Sequence, residues 1–164
     1  MVRTALSRIL NVVMTRIPVP DDVRALIGVK RVRRHVVSES EIIRFAQAIG
    51  ASLPPQGDPI EAPPLFYQAL AYEAVPLEQL PDDGSPRELD VPIPATRTVG
   101  GSSEFVIHRR ARANETLTIE TSLTDVILKQ GKSGVLYLVV VETRFSDADG
   151  ILVANEIATF IKRA

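Results

Sequence analysis

Only two histidines, His35 and His108, occur in the 164 residues, and there is no cysteine. The second absence excludes Cys nucleophiles, thiolate zinc sites, iron–sulfur clusters and disulfide scaffolds. The first restricts acid–base chemistry, because a histidine acting as proton shuttle must be one of these two. His108 sits in VIHRR, where a strand would point it opposite Ile107 and where Arg109 disfavours its protonation. His35 lies among Arg31, Arg33 and Arg34, a setting that suits a solvent-facing role. Two carboxylates, Asp58 and Glu73, flank or follow an apolar stretch and could act as a lone base or nucleophile. Gly100-Gly101 could admit close backbone approach to a carbonyl group, or mark a bulge. No phosphate-cradling loop of the nucleotide-binding type is present.

These residues fall on elements of two kinds. Asp21 and Asp22 precede VRALIG, a short helix that Gly28 would end. VKRVRRHVV, residues 29–37, reads as a short strand. Ser38 and Glu41 form a capping-box pattern ahead of EIIRFAQAIG, with Ile42, Ile43, Phe45, Ala46 and Ile49 at helical spacing and Gly50 at the end. After the proline-rich ASLPPQGDPIEAP, Pro64 opens PLFYQALAYEAV, apolar nearly all round and therefore expected to be enclosed by protein. A linker with prolines at 76, 81, 86, 92 and 94 follows, expected to be extended and exposed. From residue 97 the period becomes two, giving four candidate strands separated by ARAN, GKS and DADG. The third, GVLYLVVVETRFSD, is apolar on both faces and should be central. Short turns between long strands predict an antiparallel meander, and the helix before it predicts an α+β fold with the sheet curled around that central apolar helix.

Composition bounds the partners. Lys and Arg number 19 against 20 Asp and Glu, a net charge of −1, which argues against nucleic acid or an anionic membrane as a general partner. No apolar run approaches the roughly 20 residues that span a bilayer. An apolar content of 45% in a chain of this length supports one core, with residues 20–164 as a single domain and 1–19 as an N-terminal extension. That extension carries Arg3, Arg8 and Arg16 without an acid, and Leu6, Ile9, Leu10 and Val13 would share one helical face. It has the pattern of an accessory helix or, superficially, of a targeting segment.

APPLFYQAL, followed by GGSSEFVIHRRARANETLTIETSLTDVILKQGKSGVLYLVVVETRFSDADGILVANEIATFI, resembles the MaoC-like dehydratase family, in its N-terminal-half, fatty-acid-synthase-type form. The resemblance runs from about residue 20 to the end and implies a hot-dog fold. It implies hydration or dehydration of enoyl and 3-hydroxyacyl thioesters of coenzyme A or acyl carrier protein, with no metal and no resident cofactor, in the cytoplasm. Active members carry a G-D-x-N-P-(aliphatic)-H signature whose Asp and His activate water. Here the corresponding stretch is Gly50-Ala51-Ser52-Leu53-Pro54-Pro55-Gln56, with Ala51 at the acid position and Gln56 at the histidine position. Neither side chain transfers a proton near neutral pH.

The resemblance therefore implies a non-catalytic subunit that needs a second hot-dog subunit with the intact signature. On this basis Phe66, Tyr67 and Leu70 are candidates to line an acyl tunnel, Gly100 and Gly101 to approach the thioester carbonyl, and His108 to bond near the thioester or at a subunit interface. Arg97, Arg109, Arg110, Arg112, Lys129 and Lys132 are candidates for the carrier's phosphates, which arginine's fork suits. The alternatives are an acyl-thioester-binding homo-oligomer without activity and a hot-dog thioesterase resting on Glu73 or Asp58.

Overall fold

The computed structural model describes residues 16–52, 60–80, 91–95, 97–131 and 134–163. Within them the chain runs β1 (Arg16–Ile17), α1 (Asp21–Arg24), β2 (Lys30–Val36), α2 (Glu39–Ile49), α3 (Phe66–Ala71), a single 3₁₀ turn (Leu77–Gln79), β3 (Arg97–Ile107), β4 (Thr116–Gly131), β5 (Gly134–Ser146) and β6 (Leu152–Arg163). The amphipathic reading of residues 6–13 lies outside the described residues, and the end of that extension, Arg16–Ile17, is a strand paired with Leu128 and Lys129.

The strands form one antiparallel sheet in the order β1-β4-β5-β6-β3, with β2 pairing along another part of β4. β5 is central, as its two apolar faces required. The meander expectation holds for β4, β5 and β6 and fails for β3, which pairs with β6 at the far edge instead of with β4. ARAN does not close a hairpin. Residues 108–115 carry the chain across the sheet, and neighbouring segments hold them: Ala62 N–H donates to the Ala111 carbonyl at 2.8 Å, Ala113 N–H to that of Ile60 at 2.9 Å and Asn114 N–H to that of Val37 at 2.7 Å. Asn114 adopts φ +66°, a left-handed conformation that asparagine tolerates.

The capping box forms as expected. Glu41 N–H donates to Ser38 Oγ at 3.2 Å, Ser38 N–H donates to Glu41 Oε2 at 2.8 Å, and Gly50 closes α2 at φ +67°. Burial pushes the Glu41 pKa up, but the bonds from Ser38 and the neighbouring His35 outweigh it, so the carboxyl titrates below its ordinary value. Ile42 and Ala46 face the core, whereas Ile49 is 54% exposed, so the apolar stripe ends one turn early.

The next helix departs from expectation. α3 has six residues, and Tyr72 is already extended at φ −105°, ψ 133°. Arg33, from β2, donates to the Leu70 carbonyl and satisfies one end of this short helix. Phe66, Tyr67, Leu70 and Ala71 are buried against the sheet, while Gln68 and Ala69 are exposed. The helix is thus enclosed on one side only. Glu73 falls beyond it, exposed and outside any helix or strand, and not in its last turn.

Because the capping box satisfies two otherwise unpaired N–H groups, Ser38→Ala should destabilise the fold by about 1 kcal/mol. Urea melts of the two proteins check this, and an unchanged midpoint would contradict it.

Candidate functional site

Period two sends alternate residues of β4, β5 and β6 to the sheet face that carries α3. Along that face Ile119, Phe145 and Ala154 form one cross-strand row, and Leu123, Val141 and Ala158 form another. The first row joins Phe66, Tyr67, Leu70 and Ala71 in one apolar cluster. Leu123 and Val141 join Val23, Val91, Val126 and Val139 in a second. Between the two runs a polar row, Thr121–Thr143–Glu156, in direct register. Its members are 6%, 4% and 1% exposed.

The Ser103 hydroxyl, on the neighbouring edge strand β3, lies 2.5 Å from Glu156 Oε1. It is the one hydrogen-bond partner of that carboxyl among the described residues. Thr121 and Thr143 hydroxyls approach at 3.5 Å, the outer limit of a bond. Burial pushes the Glu156 pKa above its ordinary value, against the pull of the Ser103 bond. The Glu156 position was legible in principle: alternation places it in the same set as Ala154, Ala158 and Phe160, a carboxylate among inward residues.

Of the residues singled out from sequence, Phe66, Tyr67, Leu70 and Arg109 come together. Phe66, Tyr67 and Leu70 are 2%, 0% and 5% exposed within the first cluster. The Tyr67 ring packs 5.0 Å from Phe145, and its hydroxyl donates to the Arg109 carbonyl at 3.0 Å. Its pKa is pushed up to about 12, by burial first and then by the Glu115 carboxylate, with Arg109 opposing. It is a fixed hydrogen-bond donor at any ordinary pH. The Arg109 guanidinium meets Glu115 at 2.9 Å and Asp147 at 3.3 Å, so two carboxylates already match its charge.

His108 is exposed at the other end of β3 from Gly100 and Gly101, about 25 Å along the strand, and the structure does not bring them together. Gly101 is the extra residue of a bulge between Gly100, opposite Phe160, and Ser102, opposite Thr159. Ala51 follows the α2 cap, its N–H bonded to the Ala46 carbonyl at 2.9 Å. Gln56, Asp58 and Lys132 lie outside the described residues. The other basic candidates divide between the two ends of the sheet: Arg97 and Lys129 share one end, whereas Arg110 and Arg112 lie near Arg109 at the other, with Arg112 paired to Glu61 at 3.2 Å. Among the described residues no three His, Asp or Glu side chains group as metal ligands, and no helix is long and apolar enough to cross a membrane.

A family model described as "FAS1-like, dehydratase domain region" matches residues 25–156. Three solved structures share the fold at low identity. The ChsH1–ChsH2 complex from Mycobacterium tuberculosis matches with a TM-score of 0.62 and 21% identity over 87% of this chain and 89% of the other. The C-terminally truncated HadBC (3R-hydroxyacyl-ACP dehydratase) complex, also from Mycobacterium tuberculosis, matches with a TM-score of 0.59 and 22% identity over 83% and 96%. A MaoC-like dehydratase from Rhodospirillum rubrum gives 0.55 and 16% over 84% and 92%. These likenesses make the α+β architecture a hot-dog fold. No curated protein matches.

Two predictions arise from this geometry. A Cβ at Gly101 would stand 2.9 Å from the Thr159 carbonyl oxygen, whereas one at Gly100 meets nothing within 4 Å. Gly101→Val should cost on the order of 1–3 kcal/mol and Gly100→Ala under about 0.5 kcal/mol, checked by chemical denaturation; equal effects would contradict the bulge. Secondly, a raised carboxyl pKa means that the folded state favours the protonated form. That contribution is complete at pH below the ordinary glutamate range and is lost as pH rises through the folded value. Glu156→Gln should therefore gain stability relative to the parent as pH rises above the ordinary glutamate range, read from thermal melts across a pH series; a pH-independent difference would contradict it.

Proposed function

The chain belongs to the FAS1-like dehydratase-region family of MaoC-like hot-dog domains, and on that premise we propose that it is the acyl-binding, non-catalytic half of an (R)-specific enoyl-thioester hydratase or 3-hydroxyacyl-thioester dehydratase. The observation that carries the reading is at the end of α2. Gly50 closes that helix in a left-handed cap, and the residue delivered next is Ala51, a methyl group where the resemblance calls for the carboxylate. A methyl group neither accepts nor donates a proton, so general acid–base catalysis must come from elsewhere.

A second hot-dog subunit with an intact signature supplies it. β3 supports this: 11 residues long, it pairs only with β6 among the described strands, and most of it is exposed, with Val99 at 59% and Val106 at 46%. A free edge of that length is a template for strand pairing with another chain. The HadBC and ChsH1–ChsH2 structures are each described as complexes. In this chain the apolar cluster beneath α3 would receive the acyl group of a coenzyme A or acyl-carrier-protein thioester. Tyr67 would hold the crossing next to it in place. Arg109, neutralised by Glu115 and Asp147, serves that crossing, and the carrier's phosphates would fall to exposed cations such as Arg110. The protein works in the cytoplasm and carries no cofactor of its own.

The purified chain should not hydrate crotonyl-CoA or longer enoyl-CoA, whereas its complex with a signature-bearing hot-dog subunit should. Loss of absorbance of the conjugated thioester measures both. Turnover by the homogeneous chain alone would overturn the reading, and a self-contained, inactive homodimer indifferent to such a subunit would favour an acyl-thioester-binding protein instead.

A further inference from the structure

The sheet has a second face. Residues that alternate with the inner clusters point away from α3, and at one end of the sheet they are apolar. Ile127, Leu138, Ile161 and Val99 stand in one cross-strand row, with Leu136 and Val140 in the rows on either side. Toward the other end the same face turns polar, where Glu120, Arg144 and Asn155 share a row and Arg144 is exposed. The apolar end is not bare. Val140 and Thr159 are each 8% exposed and Lys129 is 6% exposed, although all three belong to this outer face. None of the described helices α1, α2 and α3 packs there. α1 enters the inner clusters through Val23, α2 through Ile42, and α3 through Phe66 and Leu70. An apolar sheet face whose central residues are shielded has a cover, and those helices do not supply it.

We propose that the N-terminal extension, residues 1–15, docks on this face and is its cover. Attachment favours that occupant. The extension ends at Arg16, and β1 pairs Arg16 with Lys129 and Ile17 with Leu128, so it joins the sheet at the apolar end and beside the shielded Lys129. A tethered segment meets such a face at an effective concentration that a separate molecule rarely matches. Its pattern fits as well. Read as a helix, the segment carries Leu6, Ile9, Leu10 and Val13 on one face, with Arg8 and Asn11 opposite, where water would receive them. Length is sufficient: 15 residues in helical form reach about 22 Å, which exceeds the roughly 14 Å from β4 to β3 across β5 and β6. Independently of the acyl-binding reading, docking makes the extension part of the domain. It also leaves the β3 edge as the open flank of the sheet at which another chain joins.

Because the chain has no cysteine, a single introduced thiol reports its own surroundings. The test compares the rates at which an aromatic disulfide reagent labels Val140→Cys, on the shielded face, and Ile151→Cys, at a position 61% exposed just before β6, each in the full chain. Val140→Cys should react at least about tenfold more slowly, at every protein concentration. Adding Leu6→Asp and Leu10→Asp, which place charge on the apolar side of the extension, should bring its rate to within about twofold of Ile151→Cys in the same background. Circular dichroism melts establish that the variants fold. Thr159→Cys, directly opposite on the same face, replaces Val140→Cys if that variant does not, and Leu10→Asp alone replaces the double substitution. Rapid labelling of Val140→Cys with the extension unaltered, or protection that survives the aspartates, overturns the proposal. Protection that grows with protein concentration also overturns it and identifies a second copy of the chain as the cover.

Discussion

The crossing of residues 108–115 is the constraint on which the rest of this molecule depends. It carries the chain from one edge of the sheet to the opposite side, and four backbone hydrogen bonds tie it to Ile60, Ala62 and Val37. Tyr67 links it to α3 through the Arg109 carbonyl, and the guanidinium of the same Arg109 links it to Glu115 and Asp147. Buried hydrogen bonds of this kind are costly to leave unmade, so the crossing has little freedom to move. Two consequences follow. α3 is fixed over one half of the sheet, and β3 is placed at an edge with β6 as its one neighbour.

Those consequences set the chemistry available. The half of the sheet beneath α3 is an apolar bed built from Phe66, Tyr67, Leu70, Ile119 and Phe145. The other half is covered by Val23 and Val91 instead. The seam between them is polar. A free strand edge and an apolar bed are the two features that support the proposed binding role. Of the chain's two histidines, His108 is exposed at the start of the crossing and His35 is engaged with Glu41 at 3.2 Å.

Much of this was legible from the residues. Capping is local chemistry, so Ser38, Glu41 and Gly50 could be placed from spacing alone. So could the central position of β5 in the strand order, read from Leu136, Leu138 and Val140 alternating with Val139 and Val141. The position of β3 was not legible, because ARAN has turn composition and nothing local reports that Ala111 and Ala113 bond to residues some fifty positions earlier. The length of α3 misled for a similar reason: helical spacing continues through Tyr72 and Val75, but tertiary contacts end the helix at Ala71. Glu156 lay in plain view as a charge on an inward position. Its meaning needed Ser103, which sequence periodicity alone does not bring next to it.

On the proposed function, the β3 edge would be completed by a partner subunit rather than left in solvent. Amide hydrogen exchange of β3, compared between the chain alone and the chain bound to a signature-bearing hot-dog subunit, tests it most directly. About half of the amides between Ser102 and Ile107, those not already bonded to β6, should exchange rapidly in the chain alone and become protected on binding. Unchanged exchange along β3 in a complex that forms and turns over substrate would contradict it.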